Sequence, residues 1–196
     1  MSVSLDGLAL GPTEILEIDF GGRLVPPLGG PVLNVDRAGS RYGISITTAA
    51  KPIEPDGRVA FATLKRARAE GAIITVPQPG LVIGSPGAPV VASLTAAGRL
   101  IPLSGLTAGY VIRQDQAISF VVGGRRYLDF AAEQVTASGG GTATLRIQNL
   151  LRVPLPAGTI AEIAEPKIEG SITAPLRKPQ PLDRFVSFEF IIEEDA

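Results

Sequence analysis

The chain has no cysteine, no histidine and no tryptophan among its 196 residues. Without cysteine there is no disulfide framework, and no thiolate to bind a metal or attack a substrate. Without histidine the commonest general base and the commonest metal ligand are both missing, so Ser–His and Cys–His catalysis are excluded. An enzyme made from this alphabet would need paired carboxylates, a serine–lysine pair, or calcium or magnesium on oxygen ligands. Aromatics are scarce at 5%, with Tyr42, Tyr110 and Tyr127 the sole tyrosines, which leaves few platforms on which a sugar ring could stack. An excess of one charge is also lacking. The 18 Lys and Arg stand against 19 Asp and Glu, a net of -1, so the basic surplus with which nucleic-acid binders displace counterions is not there. No apolar run is long enough to cross a bilayer, and "MSVSLDGLALGPTE" has neither the basic start nor the apolar core of a signal peptide. The expectation is a soluble protein made without export.

Short alternating or β-branched runs fill most of the sequence: "EILEIDF", "YGISITTAA", "AIITV", "AISFVV", "TATLRIQNL" and "RFVSFEFIIEE", separated by Gly and Pro. That grammar predicts a mainly β protein. In the last run Val186, Phe188, Phe190 and Ile192 make one continuous apolar face, while Phe185, Ser187, Glu189 and Ile191 make a mixed one. One helix is expected, over "DGRVAFATLKRARAEG". Asp56 caps its start, Val59, Ala60, Leu64 and Ala67 form its apolar stripe with Phe61 at the edge, and Gly71 suits a left-handed C-terminal position. Lys65, Arg66 and Arg68 complement the helix dipole and have no interleaved aromatic to stack a base, so they read as a solvated or subunit-contact face.

"FVVGGRRYLDF" places two glycines before two arginines. A phosphate cradle would need a helix to follow the glycines, so that free amides and the helix dipole meet the anion; strand pattern follows instead. The stretch is therefore expected to be a two-residue hairpin, with Gly123 and Gly124 at the positive φ its turn requires. Val122 then pairs with Arg125 and Phe120 with Tyr127, and the two arginines fall on opposite faces.

Carboxylates give no clear site. "IIEEDA" reads as a solvated terminal run, and Asp6-Gly7 and Asp56-Gly57 as turns or caps. Asp115, Asp129 and Glu133 are close enough in sequence to be considered as a glycosidase pair, but the hairpin gives no reason for them to converge. No catalytic, cofactor-binding or metal-binding residue is assigned, and no cofactor is expected. Two proline-rich stretches, "VPQPGLVIGSPGAPVV" and "AEPKIEGSITAPLRKPQPLDR", read as extended connections. They divide the chain into a β-sandwich of residues 1–76 and 169–196 with one flanking helix, and an inserted small β-barrel of residues 77–168. The arm "GGRLVPPLGGPVLNV" suits contact between subunits.

In this order, "RYGISIT", the basic helix, the proline-rich crossing, the hairpin, "GGGTATLRI", "LLRVPLPAGTIAEIAEP" and the closing "FVSFEFIIEE" resemble the distal tail or baseplate-hub proteins of long-tailed bacteriophages and gene-transfer particles. The resemblance implies a non-enzymatic virion protein that closes into a hexameric ring with a β-sandwich ring domain. It would join the tail tube protein to hub and tip proteins, with DNA passing through the lumen unbound, no membrane partner, and assembly in the bacterial cytoplasm. Two alternatives stand beside it: another virion ring protein of the tube, terminator or neck, and a carbohydrate- or receptor-binding module.

Overall fold

The computed structural model describes residues 2–173, 175–179 and 184–195. In chain order the elements of the first stretch are β1 (Val3–Ser4), β2 (Leu10–Ile18), β3 (Gly22–Leu24), β4 (Leu33–Val35), β5 (Arg41–Thr48), β6 (Lys51–Pro52), α1 (Arg58–Glu70) and β7 (Ala72–Thr75). Then come β8 (Gly87–Val91), β9 (Leu100–Leu106), β10 (Val111–Ile112), β11 (Ala117–Val122), β12 (Arg125–Phe130), β13 (Val135–Thr136), β14 (Ala143–Arg146) and β15 (Ile160–Glu162). The last three are β16 (Lys167–Ile172), β17 (Phe185–Val186) and β18 (Glu189–Glu194). Among the described residues the protein is mainly β with one α-helix, as its alternation predicts.

Two six-stranded sheets organise these elements. The first runs β1-β7-β16-β18-β5-β2, and only the β1–β7 pair is parallel. Its inner face is apolar because alternate residues of each strand point the same way: Ile44 and Ile46 of β5, Ile74 of β7, Ile168 of β16, and Phe190 and Ile192 of β18 are all buried. Helix α1 covers that face with Ala60, Phe61, Leu64 and Ala67, and the Phe61 ring stacks on Phe188 at 5.6 Å between centroids. Each of the Ile, Leu and Phe side chains contributes about 1.5–3 kcal/mol by leaving water.

The helix departs from expectation at both ends. Asp56 does not cap it: no side-chain bond is made there, and the helix starts after Gly57. Val59 is 61% exposed while Phe61 is buried. At 100° per residue, Val59 and Phe61 lie at about the same angle on opposite sides of the stripe centred on Ala60, Leu64 and Ala67, and the side that packs is the one where the Phe61 ring meets Phe188. Gly71 does take a positive φ, 95°, but its ψ of 152° leads the chain straight into β7 and makes no left-handed turn.

The second sheet runs β12-β11-β15-β8-β9-β14, antiparallel throughout. It curls until its outer strands meet: Ala131 bridges Ile147, the Ala132 amide donates to the Arg146 carbonyl at 2.8 Å, and the Gln148 amide donates to the Phe130 carbonyl at 3.0 Å. Ile101, Leu103, Ile112, Ile118, Phe120, Leu145 and Leu155 fill the space so enclosed. Strand β8 lies inside the proline-rich stretch read as an extended connection, so only its first eleven residues are irregular. Pro89 is tolerated there because β8 is bulged against β9 between Gly87 and Val90, where the ladder needs no donor.

The chain leaves the first sheet after β7 and returns at β16, and these two strands are neighbours. Thr75 pairs with Lys167, and the Val76 amide donates to the Pro166 carbonyl at 2.8 Å. Of the second proline-rich stretch, residues 174 and 180–183 lie outside the described residues.

Candidate functional site

At the tip of the β11–β12 hairpin Gly123 and Gly124 have φ of 59° and 82°, and Val122 pairs with Arg125 and Phe120 with Tyr127. The hairpin reading holds in register as well as in turn type. Both arginines have carboxylate partners. Arg125 donates to Asp195 at 2.9 Å, and Arg126 donates through Nε to Glu162 at 3.1 Å with its guanidinium 3.6 Å from Glu169. Ser119, fully buried on β11, adds to this junction by donating to Glu162 and accepting from the Lys167 amide. An incoming phosphate would have to displace these anions.

The run "IIEEDA" is not a solvated tail. Strand β18 extends through Glu194, whose side chain continues the inward face of Phe188, Phe190 and Ile192 and is 2% exposed. Glu194 Oε1 accepts from the Leu128 amide of β12 at 2.6 Å; Oε2 accepts from the Tyr42 amide of β5 at 3.0 Å and from Arg152 Nη2 at 2.9 Å. A buried carboxylate is tolerable only when so satisfied. Burial pushes its proton affinity up, and the Arg152 guanidinium with the two amides pulls it back. Arg152 also lies 5.3 Å from the Tyr127 ring centre.

Of the three acidic residues considered together, two reach one region. Asp129 of β12 is 8% exposed, and its Oδ1 accepts from the amides of Phe130, Gln148 and Asn149 at 2.7, 3.1 and 3.4 Å. Burial pushes Asp129 up to about 7 despite those three amides and the nearby Arg152. Asp115, at a positive φ of 61° in the turn before β11, lines a crevice of about 340 Å³ with Ile15, Glu17, Tyr42, Phe130 and Gln148. Tyr42 stands edge-on to Phe130 at 4.8 Å, and its hydroxyl is held protonated by burial and by Asp129, Glu17, Glu194 and Asp115. Glu133 is exposed and does not line the crevice. Sequence reasoning missed Glu194; continuing the period-2 count from Val186 by one more step would have placed it inside.

A run of exposed large apolar side chains lies on the arm. Strands β3 and β4 form a hairpin in which Leu24, Val25, Leu28, Val32 and Leu33 all face solvent, Leu28 at 97% exposure. Arg23 is its only charge. Its base is fixed: Asp19 accepts from the Gly21 amide at 2.7 Å and from the Ser40 hydroxyl at 2.8 Å, the Phe20 amide donates to Ser40 Oγ, and Asp36 meets Arg99 at 2.8 Å. An anchored base and a bare apolar tip distinguish this arm from an ordinary polar loop.

The helix cations do not converge. Arg58 pairs with Glu54, Lys65 lies over the Phe61 ring at 5.0 Å, and Arg66 and Arg68 are exposed. Asp6 sits in the turn its Asp-Gly sequence predicts and accepts from the Thr75 amide at 2.7 Å. No group of three or more acidic side chains among the described residues is arranged to hold a metal ion, and none of their helices is long and apolar enough to cross a membrane. No protein-family model matches this chain, and no curated protein matches it.

Proposed function

We propose that this chain is a structural subunit of a phage-type tail, closing into a ring at the distal tail or baseplate hub and joining the tail tube to the tip. The observation that carries the reading is the arm of residues 22–35, which holds five large apolar side chains in water on a fixed base. Burying such side chains releases about 1.5–3 kcal/mol each, so a surface to receive them is the simplest reason for the sequence to keep them. In this reading the arm seats on a different patch of the next subunit, a heterologous contact, and heterologous contacts close into rings when the rotation allows.

The first sheet supports the same reading through its edges. β1 and β2 are its outer strands, and the second sheet has joined its own outer strands to each other. β2 carries a bulge, Pro12, Glu14 and Glu17, features that discourage indiscriminate pairing and leave specific contacts to decide the partner. In this reading the protein binds no cofactor and catalyses no reaction, and it works in the virion with DNA passing through its lumen. Light scattering behind size exclusion, followed by negative-stain imaging, tests it. A closed species of about six subunits with a central hole is expected. A strict monomer at every concentration, alone and mixed with a tail tube protein, would overturn it.

A further inference from the structure

Strand β2, at the edge of the first sheet, has an apolar feature at each end. The arm follows its last residue, and a groove of about 490 Å³ lies where it begins, lined by Leu8 and Ala9 ahead of the strand, Pro55 and Asp56 ahead of α1, and Val59 on the helix. Val59, 61% exposed, is the large apolar side chain that α1 leaves outside its own packed stripe. Because β2 is nine residues long, roughly 30 Å separates the groove from the base of the arm. The arm does not fill the groove of its own chain, since Leu28 at the arm's turn is 97% exposed.

We propose that this groove is the seat for the arm of a second copy, with Leu28 entering beside Val59. Its volume falls within the range of about 300–1,000 Å³ typical of clefts that enclose a ligand, and its apolar lining matches Leu28 and the flanking Val25 and Val32. The charges agree with the same occupant. Arg23 is the one charge on the arm, exposed and in no ion pair among the described residues. Lys51 and Asp56 are the charges among the residues lining the groove, and Asp56 is exposed, caps no helix and is in no ion pair among the described residues. A guanidinium arriving with the arm therefore meets a free carboxylate at the rim, which fixes the direction of docking more than its strength. With arm and seat at opposite ends of one strand, each copy gives its arm to one neighbour and receives the arm of another, which is the head-to-tail contact a ring requires.

The chain has no cysteine, so Leu28→Cys combined with Val59→Cys reads the contact without background. Under mild oxidation, denaturing gels of the full chain should show covalent oligomers. Leu28→Cys combined with Ala164→Cys, at a second cleft of about 370 Å³ beside β8 and β15, should give no more cross-linking than Leu28→Cys alone. A charge exchange supplies a reading free of cysteine: Arg23→Glu should raise the concentration needed for half assembly about threefold, and adding Asp56→Arg should bring it back. Cross-linking through Ala164 in place of Val59, an assembly seen by light scattering without the Val59 cross-link, or losses that simply add in the charge exchange would each overturn the seat. The seat rests on the ring reading for its second copy, and the size of the cross-linked product separates the two. A ladder reaching about six subunits supports both. A cross-linked dimer and nothing larger keeps the seat and overturns the ring, whereas a monomer without cross-links at every concentration, alone and mixed with a tail tube protein, overturns both.

Discussion

Glu194 accepts a hydrogen bond from the Leu128 amide at 2.6 Å, and this one bond carries β18 of the first sheet to β12 of the second. Around it the two apolar cores merge: Ala117, Leu128 and Phe130, all from the second sheet's strands, are packed among the residues of the first core. The seam therefore combines apolar burial with a charge that must stay paired.

Removing Arg152 should be far more damaging than removing the pair. Arg152→Ala leaves the Glu194 carboxyl buried without its counter-charge, a loss of about 3–5 kcal/mol. The double variant Arg152→Met, Glu194→Gln is expected to recover more than half of it. Urea unfolding of the two variants and the wild type gives the comparison; equal losses in both variants would mean that the guanidinium matters only as packing.

Stability should fall as pH rises through the neutral range. Asp129 binds its proton more tightly folded, near 7, than unfolded, at 3.8, so the native state holds more protons between those values. The unfolding free energy then decreases with pH over that window, by on the order of 4 kcal/mol if the whole shift is expressed, and levels off above it. Thermal melts from about pH 4 to about pH 8 should show the decline in the wild type and a shallower one in Asp129→Asn, where the raised Glu194 still contributes in the same direction.

Glycine is obligatory at position 170. A Cβ there would run into the Glu193 carbonyl across the β16–β18 pair, and both contacting groups are backbone. Gly170→Ala should cost about 3 kcal/mol or block folding, whereas Gly7→Ala, which meets nothing within 4 Å, should stay within about 0.5 kcal/mol of wild type. Expression yield and melting temperature of the two variants decide the matter.

Leu28→Glu should separate assembly from folding. Leu28 touches almost nothing in its own chain, so the melting point of the monomer should not move by more than about 0.5 kcal/mol equivalent. The ring should be lost, as read by light scattering. A variant that still assembles would move the contact elsewhere on the surface.

Much of the fold was legible because local chemistry and tertiary demand agree. Gly123-Gly124 between two alternating runs has one cheap conformation, and the hairpin followed to the residue pair. The face of Val186, Phe188, Phe190 and Ile192 was readable because every second residue is large and apolar. Glu194 was not, because a carboxylate on the buried face becomes possible only when Arg152, 42 residues earlier in the chain, comes to meet it. Pro89 hid β8 for a related reason: the bulge that excuses a missing donor is made by the partner strand. The arm could be suspected from its composition, yet its fixed base depends on Asp19, Ser40 and Arg99 converging from three segments.

The pairing of β7 with β16 has a consequence for how this architecture can vary. Because the chain departs and returns at hydrogen-bonded neighbours, the ends of the intervening segment are already adjacent, and the first sheet's ladder is indifferent to how many residues lie between them. Doubling such a segment costs only about 0.6 kcal/mol in closure entropy. The position is thus a socket into which segments of very different length can be fitted without re-registering a single strand. What limits the exchange is the seam: any replacement must bring its own Leu128 and Phe130 to fill the shared core, and its own cation to meet Glu194.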